Sequence, residues 1–154
     1  MPAADCILCQ LVEGRLPVSR VHEDAQVVAF MDHQPVNPGH VLVVPRQHAP
    51  LLDDLDEDLG AAVYRVAHRI SRALRRSRLR CEGINLFLAD GEAAFQEVPH
   101  MHLHVFPRYA GDSFRINAEW RVRDRAELDA AAERVRAGLA ALDQGVTGRP
   151  DDRR

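Results

Sequence analysis

Three histidines, His100, His102 and His104, stand at alternate positions in "PHMHLHVFPR", with Met101, Leu103 and Val105 between them. A period of two is that of a β-strand, which turns the imidazoles to one face and the apolar side chains to the other. Imidazoles spaced by two residues of strand, roughly 6–7 Å, repel one another when protonated and displace β-branched side chains that would pack better. Such a face is suited to chemistry, and two kinds are open to it. Alternate histidines can aim ring nitrogens at one metal ion. Alternatively, one neutral imidazole is a nucleophile, its neighbours orient it and bind an anion, and the loop containing Gly91 offers backbone N–H groups to a phosphate.

Cys6 and Cys9 form a C-x-x-C pair, which is either a metal site or a redox pair. A redox pair belongs at a helix N-terminus beside a βαβ unit, a pattern this chain lacks. A tetrahedral zinc needs two further ligands, and the sequence has eight histidines to draw on. Cys81 reads as a small buried side chain before a turn.

The elements that must position these residues are legible as periodicities. "VVAFMD" (Val27 to Asp32), "HVLVVP" (His40 to Pro45) and "GINLFLAD" (Gly83 to Asp90) are strand-like, and the prolines and glycine of "HQPVNPG" mark a tight loop between the first two. From Asp53 to about Arg78, Leu55, Leu59, Val63, Val66, Ile70 and Leu74 recur at threes and fours, the stripe of an amphipathic helix capped by Asp53 or Asp54. A second helix spans Asp124 to Leu142, opened by a capping box of Asp124 and Glu127. The expected architecture is α+β: one domain over residues 1–142, a mostly antiparallel sheet with a long central helix and a C-terminal helix. The polar, glycine- and proline-containing tail over 143–154 is expected to be disordered.

Composition removes several function classes. All 20 basic residues are arginine, so Schiff-base and P-loop lysine chemistry is absent. The four serines include none in a G-x-S-x-G elbow. A net charge of −3 gives no bulk case for nucleic acid or an anionic membrane, and the arginines of "RVAHRISRALRRSRLR" alternate with the apolar stripe as a solvated face. His22 and His68 read as surface residues. With neither a signal peptide nor a long apolar run, the expected location is cytoplasmic.

"HMHLHVF" resembles the signature of the histidine triad (HIT) family. The resemblance continues, in order from about Cys6 to Arg108, through "CILC", "VVAFMDHQPVNPGHVLVVPRQH" and "GINLFLADGEAAFQEVPHMHLHVFPR". It implies a homodimeric nucleotide hydrolase or transferase acting at the α-phosphate of a purine nucleotide, either a phosphoramidate or a dinucleoside polyphosphate. His102 would attack phosphorus to give a nucleotidyl-histidine, His104 would bind the phosphate and leaving-group side, and His40 would be the further active-site histidine. Asp32 would bind the ribose, with turn capping as its local alternative, and Phe30, Ile7, Leu8 and Leu16 would form the base slot. Gly91 and Gln96 fall beside the phosphate. The resemblance also assigns His48 and His100 to a structural zinc with Cys6 and Cys9.

Three positions depart from the family pattern. Ala89 stands where an amide side chain is common, Phe95 where a glycine is, and Glu97 where a hydroxyl faces the phosphate. The departures keep alternatives open: a dinucleoside polyphosphate phosphorylase, a nucleotide-binding module with little turnover, or a zinc hydrolase using the triad as ligands.

Overall fold

The protein is described here from a computed structural model covering residues 5–145. The chain divides into two compact units, one ending at Phe114 and one beginning at Arg115. The first holds a five-stranded antiparallel sheet in the order β1-β2-β3-β5-β4. Its strands are β1 (Arg20–Glu23), β2 (Val27–Met31), β3 (Val41–Pro45), β4 (Gly83–Leu88) and β5 (Leu103–Arg108). Helix α1 (Ile7–Val12) precedes the sheet, and α2 (Glu57–Arg76) lies between β3 and β4.

Side-chain alternation gives the sheet two different faces. Ala29, Val43, Leu103 and Leu88 form one row across β2, β3, β5 and β4. That face packs on Leu59, Ala62, Val63, Val66, Ala67 and Leu74 of α2; four of these belong to the stripe anticipated from the sequence, whose Leu55 and Ile70 pack against the cluster partly buried. Burying each Val or Leu of this layer is worth about 1.5–3 kcal/mol. The next row, Phe30, Leu42, His104 and Phe87, lies on the opposite face. There Val28, Phe30, Leu42 and Val44 pack against Cys6, Leu8, Cys9 and Val12 from α1 and its N-cap.

Two boundaries differ from the sequence expectation. Helix α2 starts at Glu57, capped by the Asp56 carboxylate accepting from the Asp58 N–H at 2.9 Å, while residues 52–54 form a separate 3-10 turn. Asp54 instead accepts from the Leu51 N–H, so the acids at 53–54 serve that turn. The ladder of β5 begins only at Leu103, so His100 and His102 sit on the extended lead-in rather than within the strand. The Met101 N–H there donates to the Ala49 carbonyl at 2.7 Å, so the lead-in is tied to the segment after β3 and the face alternation continues through it. Neither the short β1 nor the six-residue α1 is apparent from periodicity.

The second unit carries α3 (Arg125–Asp143), capped as anticipated by Asp124 accepting from the Glu127 N–H at 2.8 Å. Trp120 ahead of it is exposed. Most of the anticipated tail, residues 146–154, lies outside the described residues. Among the described residues no helix is long and apolar enough to cross a membrane.

Candidate active site

A cavity of about 780 Å³ opens on the face of the sheet opposite α2. The row Phe30, Leu42, His104 and Phe87 forms part of its floor, and Ile7, Leu8, Leu11 and Val18 line an apolar side. His40, His102, Asp32, Ala89, Phe95 and Glu97 also line it. Phe30 is also buried core at 1% exposure, so slot wall and packing are the same surface.

Backbone groups set which ring nitrogen of each histidine carries the proton. The Val36 N–H donates to His40 Nδ1 at 3.1 Å, so a neutral His40 holds its proton on Nε2. His40 Nε2–H then donates to His104 Nδ1 at 2.9 Å, and the remaining His104 N–H is at Nε2. His102 Nδ1–H donates to the His100 carbonyl at 2.7 Å, leaving a lone pair on His102 Nε2. His100 Nε2–H donates to the Pro45 carbonyl at 3.0 Å, leaving a lone pair on His100 Nδ1. Burial pushes His104 down to about 4, assisted by His102 and His40, with Asp32 opposing. Burial likewise lowers His40 and His100, so these three rings are neutral at pH 7.

Asp32 divides its two oxygens. Oδ1 accepts from the Gln34 N–H at 2.8 Å, the turn-capping role. Oδ2 faces the imidazoles, 3.5 Å from His40 Nε2 and 4.0 Å from His104 Nδ1, on the cavity side.

The first histidine of the triad turns elsewhere. His100 Nδ1 lies 3.5 Å from Cys6 Sγ, 3.4 Å from Cys9 Sγ and 3.3 Å from His48 Nδ1. Cys9 Sγ is 3.3 Å from His48 Nδ1, and the four donor atoms all lie within 4.8 Å of one another. Donors around a tetrahedral zinc stand about 3.3–3.8 Å apart, so the set fits such an ion. Burial, with Cys6 alongside, pushes the Cys9 thiol up to about 11, a penalty that a divalent cation removes by stabilising the thiolate. The His100 Nε2–H bond to Pro45 is the outer support that fixes a ligating imidazole. His48 Nε2 is the buried side-chain nitrogen left without a partner among the described residues. Because His100 belongs to this cluster, the three triad rings do not converge on one point, and the geometry does not favour the triad as a single ion's ligand set.

Three of the anticipated substrate residues are placed away from the cavity lining. Leu16 lies in the turn after α1, where Arg20 Nη2 holds the Leu11 and Val12 carbonyls; Leu11 and Val18 supply the apolar wall instead. Gly91 and Gln96 bond to each other: Gln96 Oε1 accepts the Gly91 N–H at 2.8 Å and Gln96 Nε2 donates to the Pro50 carbonyl. They staple the loop, and the Gly91 amide is spent there. Asp90 is likewise engaged, accepting the Leu52 N–H at 2.8 Å.

A buried clamp escaped the sequence reading. Asp112, almost fully buried, accepts two bonds from Arg108, at 2.6 and 2.8 Å, and one from Asn37 Nδ2 at 2.9 Å. Asn37 also donates to the Pro107 carbonyl, and its own carbonyl accepts the His40 N–H. The clamp therefore fixes the loop whose Val36 N–H sets the His40 tautomer. Gly39 in that loop has φ +103°, and a Cβ there would come within 2.9 Å of Leu79. The "NPGH" motif signalled the loop, whereas nothing local in sequence links it to Asp112, 75 residues from Asn37.

Residues 13–111 match the HIT domain family. The chain belongs to the HIT domain family. An uncharacterized HIT-like protein of Borreliella burgdorferi is 41% identical over 111 residues, covering 71% of this chain and 80% of that protein. An adenosine 5'-monophosphoramidase of Candida albicans is 27% identical over 145 residues, covering 91% and 95%. Among solved structures, a zinc-bound histidine triad family protein from Mycobacterium smegmatis superposes with a TM-score of 0.70 at 38% identity, covering 94% of this chain and 99% of that one. The HIT match lies wholly within the unit that carries the sheet, the cavity and the cysteine cluster.

Proposed function

We propose that this HIT protein hydrolyses a purine nucleotide at its α-phosphate, releasing an amine or another leaving group, through a nucleotidyl intermediate on His102. The observation that carries the reading is the His102 Nε2 lone pair at the cavity, with the ring's other nitrogen donating to the His100 carbonyl. In the first step the His102 Nε2–P bond forms, the bond from phosphorus to the leaving group breaks, and the leaving group takes up one proton. In the second step water attacks phosphorus, the P–N bond to His102 breaks, and the water proton balances the one taken up earlier. His104 Nε2–H donates to the phosphate, and the chain Val36 N–H to His40 to His104 holds that proton on Nε2. Asp32 Oδ2 accepts from the ribose hydroxyls, and the base lies against Phe30, Ile7 and Leu8. The name of the Candida relative supports the phosphoramidate as substrate.

In the same proposal Cys6, Cys9, His48 and His100 hold a zinc ion. Zinc there supplies a cross-link that clips α1 to the sheet. The residues themselves position the His100 carbonyl beneath the nucleophile. Protein purified without added metal is expected to contain close to one zinc per chain. As in the family the resemblance implies, the working form is a cytoplasmic homodimer, for which sedimentation is the test.

Rapid mixing with nucleotide labelled at the α-phosphate, followed by denaturing quench, tests the covalent step. Label is expected to remain on the wild type and not on His102→Ala. A second reading, nucleotide binding with little turnover, is favoured by Ala89 and Glu97 at the cavity, where neither offers a neutral donor to phosphate. Tight binding of the nucleotide with no product and no trapped label would select it.

A further inference from the structure

The ionisable groups lining the cavity are two carboxylates, Asp32 and Glu97, and four imidazoles, His33, His40, His102 and His104. No arginine lines the cavity among the described residues, and the sequence contains no lysine. A polyphosphate leaving group carries several negative charges, and sites that accept one supply arginine, lysine or Mg²⁺ to meet them. Here such a group would meet two carboxylates and the buried rings of His40 and His104, which burial keeps neutral. Ala89, at 3% exposure, adds no donor.

The two carboxylates are not equivalent. Asp32 is engaged by the Gln34 N–H and faces His40 and His104. Glu97 is exposed at the cavity and makes no hydrogen bond or ion pair with any described residue. Two residues before it, Phe95 has φ +69°, the left-handed region, and is the sole non-glycine residue with positive φ among those described. That conformation costs a residue with a Cβ about 1–2 kcal/mol. Its ring is 83% exposed and lines the cavity, so core packing does not compensate. Between them Gln96 is pinned at both ends, to Gly91 and to Pro50, which fixes the segment carrying both side chains. An exposed aromatic ring and an unpartnered carboxylate on one pinned segment are the two elements an ammonium receptor uses: a ring face attracts a cation and a carboxylate neutralises it.

We propose that Glu97 and Phe95 select substrates whose leaving group carries a positive charge, such as the phosphoramidate of a diamine. The inference rests on reading the cavity as the nucleotide site in which His102 attacks phosphorus. It makes Glu97 and Phe95 specificity-determining residues.

The test compares kcat/KM for three AMP phosphoramidates of similar length, made from 1,4-diaminobutane, n-pentylamine and 4-aminobutanoate. At low salt the wild type is expected to favour the cationic over the neutral substrate about fivefold, and the neutral over the anionic about fivefold. The ranking should shrink in 0.5 M NaCl, because an exposed carboxylate acts through screened charge. Glu97→Gln should bring all three within about twofold of one another. Glu97→Arg should reverse the order, with melting temperatures of both variants confirming the fold. Phe95→Ala should reduce the advantage of the cationic substrate alone. Equal rates on all three in the wild type, or a ranking that survives both Glu97 variants, would overturn the proposal. Turnover of none of the three would overturn the nucleotide-hydrolase reading and this inference with it.

Discussion

Two histidine clusters lie on either side of one peptide carbonyl, and they are wired in opposite ways. In the Cys6–Cys9–His48–His100 cluster the Nδ1 atoms of two imidazoles face each other at 3.3 Å beside two thiol sulfurs, the arrangement of ligands around a cation. In the Val36–His40–His104 chain, donors and acceptors alternate, so each ring passes on one N–H and needs no ion. His102 joins the two, because its Nδ1–H rests on the carbonyl of His100. Histidine alone therefore decides nothing. The backbone acceptors at Pro45 and His100, and the backbone donor at Val36, decide which nitrogen keeps a lone pair and where it points.

Breaking the contrast at His102, the proposed nucleophile, should have the largest effect. His102→Ala is expected to lower kcat for a phosphoramidate by at least about 10³-fold with little change in melting temperature. Breaking it on the metal side should reverse the pattern: Cys9→Ala should lose zinc and destabilise the protein by on the order of 3 kcal/mol in urea unfolding, with a smaller loss of kcat. If stability is unchanged and the protein holds no zinc, the clip does not exist. His40→Ala removes the acceptor of the Val36 N–H and the donor to His104, and should reduce kcat by about 10²-fold while zinc content stays at the wild-type level.

The smallest expected effect concerns pH. His104 titrates near 4 in the folded protein against an ordinary value of 6.5. Between those values the unfolded chain binds more protons than the folded one, so stability falls as pH drops through that window and is regained as it rises. From pH 7 to pH 5 this single group should cost about 2 kcal/mol. His40 shifts the same way and adds to the slope. His104→Asn should flatten the dependence, and an unchanged slope in that variant would contradict the assignment of the buried neutral ring.

Much of the fold was legible because long-range order was written as local period. The β2, β3 and β4 runs, the α2 stripe and the Asp124 cap all follow from alternation, threes and fours, or capping chemistry. Element edges were less legible. Asp53, Asp54 and Asp56 are chemically alike as caps, and only the 3-10 turn at 52–54 decides among them. Strand β1 is short and alternates between half-buried and exposed side chains, so no apolar run marks it. In the site, the residue types near the chemistry could be read from sequence, but their hydrogen-bond partners could not. Gln96 and Gly91 carry donors suited to a phosphate, yet the Gly91 N–H goes to Gln96 Oε1 and Gln96 Nε2 goes to the Pro50 carbonyl. The Asn37–Asp112–Arg108 clamp joins segments far apart in sequence, so no spacing announces it.

The backbone fixes a different tautomer at His102 from that of its neighbours. A long-range ¹H–¹⁵N correlation spectrum of the labelled wild-type protein at pH 7 reads the proton on each ring nitrogen directly. Among His40, His100, His102 and His104, the His102 ring alone is expected to carry its proton on Nδ1, the other three carrying theirs on Nε2. A His102 signal with the proton on Nε2 would leave no lone pair at the cavity and would contradict the account.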